Sequence, residues 1–170
     1  MPEGTEQTEK QEETTMNTTY FDEMTANCDA WENAKKERDE RKQKIYEIYG
    51  WNSAEMDDWK DEDRAAVYPY RDGEMRAFRF FKFNLDNDND EFEVYDSIWN
   101  SERRDFVETL RKLGVTEFTV TSQSTGLMDD IYGYIELGCT MAGLHTITKK
   151  FPEWRGEGYE TVKGILFKVN

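Results

Sequence analysis

The run Asp86-Asn87-Asp88-Asn89-Asp90 is the segment most able to bind an ion, because three carboxylates alternate in it with two amides. Alternating acids of this kind open calcium-binding loops, since hard divalent cations prefer oxygen ligands. However, Glu91 stands where the sharp turn of such a loop needs glycine. Ser97 stands where a glutamate closes the coordination sphere. The pattern therefore favours an acidic loop that caps its own backbone, or an acidic recognition surface, and we expect no metal or other cofactor.

A second interpretation joins this segment to a later strand. Phe81 to Asp88 (FKFNLDND) is an apolar run that ends in two acids, and Leu110 to Thr121 (LRKLGVTEFTVT) is a helix, a glycine and a strand that ends in threonine. This order resembles the first two motifs of the haloacid-dehalogenase-like phosphotransferases. The resemblance implies that Asp86 is the nucleophile, that Asp88 is the acid/base and that Thr121 binds phosphate.

The rest of the chain departs from that family's pattern. The candidate lysines, Lys149 and Lys150, follow the acidic pair Asp129-Asp130, which reverses the family order. Residues 91–99 (EFEVYDSIW) read as a strand where a helix or cap domain is expected. A phosphotransferase of this class, or another small hydrolase, is therefore the alternative hypothesis for the function.

Three further positions carry groups that bind ligands or react. Residues 121–126 (TSQSTG) lie between a strand and a helix N-terminus, where backbone N–H groups bind anions. They lack the lysine and the glycine spacing of a phosphate-binding loop, and Ser122 or Ser124 as an N-cap explains them. His145 has no neighbouring acid or nucleophile in the sequence, and Cys139 follows the helix-ending glycine as a small buried hydrophobe. We predict no catalytic residue.

Acidic side chains are the strongest compositional signal. The formal net charge of −15 excludes unaided binding to nucleic acid or to an anionic membrane and favours a basic protein partner. Residues 55–63 and 86–96 together contain twelve acids and one base, Lys60. Carboxylates on a rigid surface can substitute for phosphates in contacts with arginine and lysine. The candidate partner-binding residues are Glu55, Asp57, Asp58, Asp61, Asp86, Asp88, Asp90, Glu91 and Glu93.

Length and apolar pattern predict the elements that must position these acids. A chain of 170 residues with 14% aromatic residues suits one compact core. Residues 1–18 lack apolar periodicity and are predicted to be a disordered acidic tail. Residues 19–65 are predicted to be helical, with Ile45, Ile48 and Tyr49 on a buried stripe, a capping pair Asn52–Glu55, and Met56 and Trp59 pointing inward. A linker containing Pro69 and an Asp72-Gly73 turn leads to a core domain at 72–170.

The core domain is predicted to be α+β. Residues 76–83 and 91–99 are expected to form a β-hairpin, which is followed by a β-α-β-α-β sheet covered by helices. One helix carries Phe106, Val107, Leu110 and Leu113, a strand spans 115–121, and a helix at 125–137 buries Leu127, Met128, Ile131 and Ile135. Further strands are predicted at 141–148 and 165–169.

Two absences in the sequence suggest a cytoplasmic location. No apolar run is long enough to span a membrane, and the N-terminus lacks the basic start and apolar stretch of a signal peptide. Cys28 and Cys139 are too few for a disulfide framework.

Several short stretches resemble a family of small uncharacterised proteins encoded on plasmids, conjugative elements and phages of Firmicutes. The stretches lie between residues 75 and 150: DEF at 90–92, IW at 98–99, DFVETL at 105–110, FTVT at 118–121, STGLM at 124–128 and GCTMAGL at 138–144. The resemblance implies an accessory protein of a mobile element and transfers no catalytic residue. Together with the acidic charge, it predicts an inhibitor that binds a basic nucleic-acid-binding protein of host defence. An anti-CRISPR protein acting on an effector nuclease is the most concrete version.

Overall fold

Two long helices open the described part of the chain. The computed structural model describes residues 17–170. Residues 1–16 of the tail predicted at 1–18 therefore lie outside the described residues. Helix α1 spans Thr18–Tyr49 and helix α2 spans Ala54–Ala65. The Asn17 side chain accepts a hydrogen bond from the Tyr20 backbone N–H (3.2 Å), and the Asn17 backbone N–H donates to the Leu113 carbonyl (2.8 Å). The start of α1 is therefore fixed to the core.

The second half of α1 and all of α2 form an antiparallel pair, here called the helical hairpin (residues 38–65). The cap of α2 is Ser53, whose Oγ accepts from the Met56 N–H at 3.1 Å, instead of the predicted pair Asn52–Glu55. Met56 and Trp59 are buried as predicted, and the Trp59 indole N–H donates to the Arg38 carbonyl at 2.8 Å. This bond and the two buried side chains hold α2 on α1.

The prediction of a first strand at 76–83 is wrong, because these residues belong to helix α3, which spans Asp72–Asp86. The buried residues Ala77, Phe80, Phe81 and Asn84 recur with helical spacing, and the apparent alternation of arginine with phenylalanine concealed it. The predicted turn at Asp72-Gly73 is the start of α3. A Cβ on Gly73 would lie 2.2 Å from the Glu102 carbonyl, so this glycine permits the close approach of α3 to the next helix.

The sheet contains four strands in the order β1-β2-β4-β3. The strands are β1 (Glu93–Val94), β2 (Glu117–Val120), β3 (Thr140–Lys150) and β4 (Tyr159–Lys168). Strand β1 is parallel to β2, and the other pairs are antiparallel. Helix α4 (Asn100–Lys112) joins β1 to β2, and helix α5 (Leu127–Glu136) joins β2 to β3. A 3₁₀ turn (Glu153–Arg155) lies between β3 and β4. The mixed α+β class is confirmed, but the hairpin of the fold is β3–β4.

The core is built on aromatic residues from both helices and sheet. The predicted α4 stripe is fully buried. On the sheet, the rings of Phe118 and Phe167 stack with centroids 5.6 Å apart. The Tyr134 ring of α5 packs on both, with its centroid 5.0 and 5.2 Å from theirs. These contacts fix α5 and α4 over one face of the sheet.

Helix α5 is rotated relative to the prediction. Leu127 and Ile131 are only half-buried, while Met128 and Ile135 are exposed. The inward side is instead formed by Asp130, Gly133 and Tyr134. The ion pair of Asp130 with Arg103 and the packing of Tyr134 outweigh the aliphatic stripe, because a buried charge must keep its partner.

The predicted apolar stripe also fails at the end of α1. Phe21 packs against Phe78 and Phe81 with ring centroids 5.0 Å from each, but Ile48 is 72% exposed and Tyr49 is exposed as well. A helix of 32 residues is about 48 Å long, so α1 extends past the core and its last turns have little to pack against.

Strands β3 and β4 extend beyond β2. Strand β2 pairs only with residues 165–168 of β4, whereas the β3–β4 ladder continues to Lys150 and Tyr159. A Cβ on Gly164 would lie 2.5 Å from the Val120 carbonyl, so the bare glycine lets β4 pass close to the end of β2. The far half of the β3–β4 hairpin reaches β1 through its side chains.

Candidate functional site

The acids predicted on α2 are displayed on its outer side. Glu55, Asp57, Asp58 and Asp61 are all exposed, while Met56 and Trp59 face α1. Lys60 lies 3.1 Å from an Asp57 carboxylate oxygen, and Arg64 pairs with Asp61. These exposed pairs are weak because water screens them, so the carboxylates stay available to a stronger cationic partner.

The lateral faces of α2 hold it in register on α1. Arg38 pairs with Asp63 at 3.1 Å, and Arg41 pairs with Glu62. The hydrogen bond from Arg41 raises the pKa of that guanidinium and lowers the pKa of Glu62. Glu62 and Asp63 thus hold α2 on α1, whereas Asp57 and Asp61 pair with bases of α2 itself.

The second acidic group, residues 86–91, is already tied to bases of the same chain. Asp86 ends α3 and accepts a hydrogen bond from Lys82 at 2.9 Å. An oxygen of Asp88 lies 3.9 Å from the Lys150 ammonium nitrogen. Glu91 contacts the ring of His145, which is half-buried in β3. Asp90 is exposed. Most carboxylates of this segment therefore face bases, chiefly on β3, as well as solvent.

Glu93 is not part of the predicted acidic surface, because its side chain is only 1% exposed. Both of its oxygens lie 3.0 Å from the Lys149 ammonium nitrogen, and the Thr121 hydroxyl donates to one of them at 2.7 Å. The side chain of Lys149 is mostly buried as well. This cluster fastens the far half of the β3–β4 hairpin to β1 and β2.

The structure places the residues of the phosphotransferase interpretation in elements other than those expected. Asp86, the expected nucleophile, is the last residue of helix α3 and does not follow a strand. Thr121 is buried and donates to Glu93, which also holds Lys149. The predicted strand at 91–99 is reduced to Glu93–Val94, and residues 95–99 are irregular.

The two acidic groups do not converge. The helical hairpin packs along the distal half of α1, while residues 86–91 lie beside β3. Phe21 and Arg38, which mark the core end and the hairpin end of α1, are 17 residues apart, or about 25 Å along a helix. The combined acidic surface expected from the two runs is therefore two separate surfaces.

A groove that the sequence did not predict lies between residues 96–100 and helix α5. It encloses 760 Å³. Its floor contains an ion pair between Arg103 and Asp130 at 3.0 Å, whose side chains are 6% and 1% exposed, and the Ser97 hydroxyl donates to Asp130 at 2.7 Å. A Cβ on Gly133 would lie 2.0 Å from an Arg103 nitrogen, so this glycine makes room for the guanidinium. The one signal of this site in the sequence is Asp130, an acid that stands among the aliphatic residues of the predicted helix.

Residues 124–126, part of the segment in which a serine N-cap was predicted, form one end of this groove. The N-cap of α5 is Gly126, and neither Ser122 nor Ser124 caps it; the Ser124 N–H donates to the Ser122 hydroxyl at 3.3 Å. Asp129 and Asp130 occupy the first turn of the helix. Their charges compensate the helix dipole and oppose binding of an anion there.

Cys139 and Tyr134 behave as core residues. Cys139 is buried as predicted, and burial raises the pKa of its thiol. Burial also raises the pKa of the Tyr134 hydroxyl, with a further contribution from Asp130. Both groups therefore stay protonated.

Neither a metal cluster nor a membrane span is found in the described chain. Within residues 17–170, no group of three or more His, Cys, Asp or Glu side chains is arranged to hold a metal ion. None of the helices in this range is both long enough and apolar enough to cross a membrane.

The fold and the surfaces together define a mixed α+β domain that carries a projecting helical hairpin. The chain belongs to the family of the domain of unknown function DUF7698, whose family model matches residues 76–169. The match begins within α3 and ends after β4, so it covers the whole sheet with α4 and α5 and leaves out α1 and α2. No curated protein and no solved structure matches the chain.

Proposed function

We propose that this protein is a binding protein that engages a basic protein partner through the outer face of α2. The observation that carries the proposal is the display of Asp57, Asp58 and Asp61 on the exposed side of a helix whose opposite side is fixed to α1 by Met56 and Trp59. Because the backbone beneath them is held, the carboxylates lose little conformational entropy when arginine or lysine side chains bind.

The total charge supports the same class of partner. A net charge of −15 accelerates the encounter with a basic surface and repels nucleic acid and anionic lipid. Asp57 and Asp61 are one helical turn apart, about 6 Å along the axis, so neighbouring cations of a nucleic-acid-binding surface can pair with them at the same time. Binding there would block the partner's own substrate.

The most specific form of the proposal is inhibition of host defence. The resemblance to proteins of Firmicutes plasmids, conjugative elements and phages suggests a mobile-element accessory protein. Its target would be a basic host nuclease, with a CRISPR effector as the most concrete example. The protein would act in the cytoplasm, without a cofactor and without direct contact to nucleic acid or membrane.

The proposal is tested with two matched triple variants. Asp57→Asn/Asp58→Asn/Asp61→Asn removes three charges from α2, and Asp86→Asn/Asp88→Asn/Asp90→Asn removes three from the second acidic group. A partner is captured from host lysate with the wild-type protein, with and without nuclease treatment. Its affinity for all three proteins is then measured at two salt concentrations.

We expect the α2 variant to lose at least about tenfold in affinity at low salt, and the wild-type affinity to fall as salt rises. The second variant should lose less, because its carboxylates lie beside β3 and away from α2, although each triplet has two carboxylates that face a base of the chain. Equal binding by the α2 variant and the wild type would refute the role of α2. Capture that disappears after nuclease treatment would mean that nucleic acid bridges the two proteins.

A further inference from the structure

The groove between residues 96–100 and α5 combines aromatic walls with negative charge. Trp99 and Tyr132 line it and are 69% and 61% exposed. Exposed Trp and Tyr beside a concave surface are typical of residues that anchor a binding partner.

The charges of the groove select for a cation. Four carboxylates line it, on Asp96, Asp129, Asp130 and Glu136, against the single guanidinium of Arg103. Asp130 is neutralised by Arg103, and Asp96 lies 3.7 Å from Arg76. Among residues 17–170, no cation lies within ion-pair distance of the other two, Asp129 and Glu136. An anionic ligand would be repelled, whereas a cation over an aromatic ring would be attracted by the carboxylates and by the ring.

Arg103, at the floor of the groove, has hydrogen-bond donors that lack a good acceptor. The guanidinium of Arg103 is almost entirely buried, and its Nη2 donates to the Ile98 carbonyl and to Asp130. Its Nη1 reaches only Asn100, at a long 3.4 Å, and its Nε finds no acceptor in the described chain. A guanidinium nitrogen with a poor acceptor is costly, so an occupant whose oxygen reaches Nη1 from the groove is favoured.

We propose that this groove binds an extended basic segment of a partner protein. An arginine or lysine side chain would lie over Trp99 with its charge between Asp129 and Glu136, and a main-chain carbonyl of the segment would accept from Arg103. The inference shares with the proposed function only the basic chemistry of the partner, because the groove and α2 are different surfaces.

The test uses a defined probe and the full-length protein. The peptide acetyl-Ala-Arg-Ala-Arg-Ala-amide is titrated into ¹⁵N-labelled protein at physiological salt, and a second peptide carries citrulline in place of each arginine. Citrulline keeps the shape and the carbonyls but removes the charge. We expect chemical-shift changes at the Trp99 indole, Gly126 and Asp129 with the arginine peptide, and much weaker changes with citrulline.

Two double variants with the same change in charge separate the groove from general attraction to an acidic protein. Asp129→Asn/Glu136→Gln should weaken peptide binding about fivefold, as expected for the loss of two ion pairs. Glu108→Gln/Glu117→Gln removes two exposed acids outside the groove and should leave the affinity within about twofold. Trp99→Ala should weaken binding as well, because the ring supports the cation.

Three outcomes overturn the inference: equal binding of the citrulline peptide, equal loss in both double variants, or shifts confined to α2. The α2 triple variant distinguishes the two proposals. If it still binds the peptide at the groove but fails to bind the captured partner, both proposals stand. If it keeps the partner while the groove variant loses it, the groove alone carries recognition.

Discussion

Different interactions stabilise the family region (residues 76–169) and the helical hairpin (residues 38–65). In residues 76–169, rings from α3, α4, α5, β2 and β4 pack against one another. Two ion pairs of this region, Arg103–Asp130 and Lys149–Glu93, have a buried carboxylate. The helical hairpin buries little beyond Met56 and Trp59 and relies on exposed ion pairs along its flanks. Burial of large apolar surface sets most of the free energy of folding, so the core governs stability and the hairpin is free to present charge.

The largest effect should come from opening the aromatic core. Phe118→Ala removes the ring that packs on Tyr134 and Phe167, and should lower the free energy of unfolding by about 3–5 kcal/mol. Urea denaturation followed by circular dichroism measures the loss. Tyr159→Ala, which truncates an exposed ring on β4, is the matched control and should cost under about 0.5 kcal/mol. Similar small losses in both variants would contradict the core described here.

A smaller loss is expected when the buried carboxylate of Glu93 is left without its cation. Lys149→Met should lower the free energy of unfolding by about 2 kcal/mol, less than for a fully buried pair because Lys149 is partly exposed. Lys150→Met, at the exposed neighbouring position, should change it by under about 0.5 kcal/mol. Adding Glu93→Gln to Lys149→Met should recover part of the loss. Failure to recover any of it would show that the charge of Glu93 is not what destabilises the single variant.

Damage to the helical hairpin should stay local. Trp59→Ala removes a buried ring and the hydrogen bond to the Arg38 carbonyl, so α2 should detach from α1. The helical signal in circular dichroism should fall, and amides of α2 should exchange faster with solvent, while the melting temperature of the core shifts by about 2 °C or less. Loss of the whole folded structure would mean that both regions form one cooperative unit.

The weakest expected effect concerns Tyr68, which contacts the middle of α1 between the two regions. Burial, and a hydrogen bond that its hydroxyl donates to Cys28 (3.2 Å), raise the pKa of Tyr68 to about 12. The unfolded chain releases this proton near pH 10, so the folded state loses stability as the pH rises from about 10 to 12. Tyrosinate absorbance at 295 nm reports the titration. Tyr68→Phe should remove the late step and flatten this part of the stability profile.

Local signals in the sequence were sufficient wherever one element determines its own structure. The α4 stripe and the burial of Met56 and Trp59 were predicted and are confirmed, and the strand predicted at 115–121 is present as β2. In each case the apolar residues recur with a single period along the element.

The failures have a common physical cause, which is competition between local pattern and distant contacts. Residues 76–83 alternate as a strand does, but the packing of α3 on α4 requires a helix. Asp130 is drawn into the core by Arg103, which rotates α5. The groove with Trp99 and Tyr132 lies between residues 96–100 and this rotated α5, which are far apart in sequence, so the local apolar pattern did not reveal it.

The sequence by itself determined the net charge of the protein and the position of its acidic runs. Net charge and the position of acidic runs are properties of the chain, and they persist in any fold that keeps those side chains in water. Only the tertiary structure decided which acidic side chains are exposed and can contact a partner. It buried Glu93 with Lys149, placed most of residues 86–91 against bases and left Asp57, Asp58 and Asp61 on an open helix face. Burial with a base, as for Glu93, takes a carboxylate away from a partner, and that depends on contacts between residues far apart in sequence.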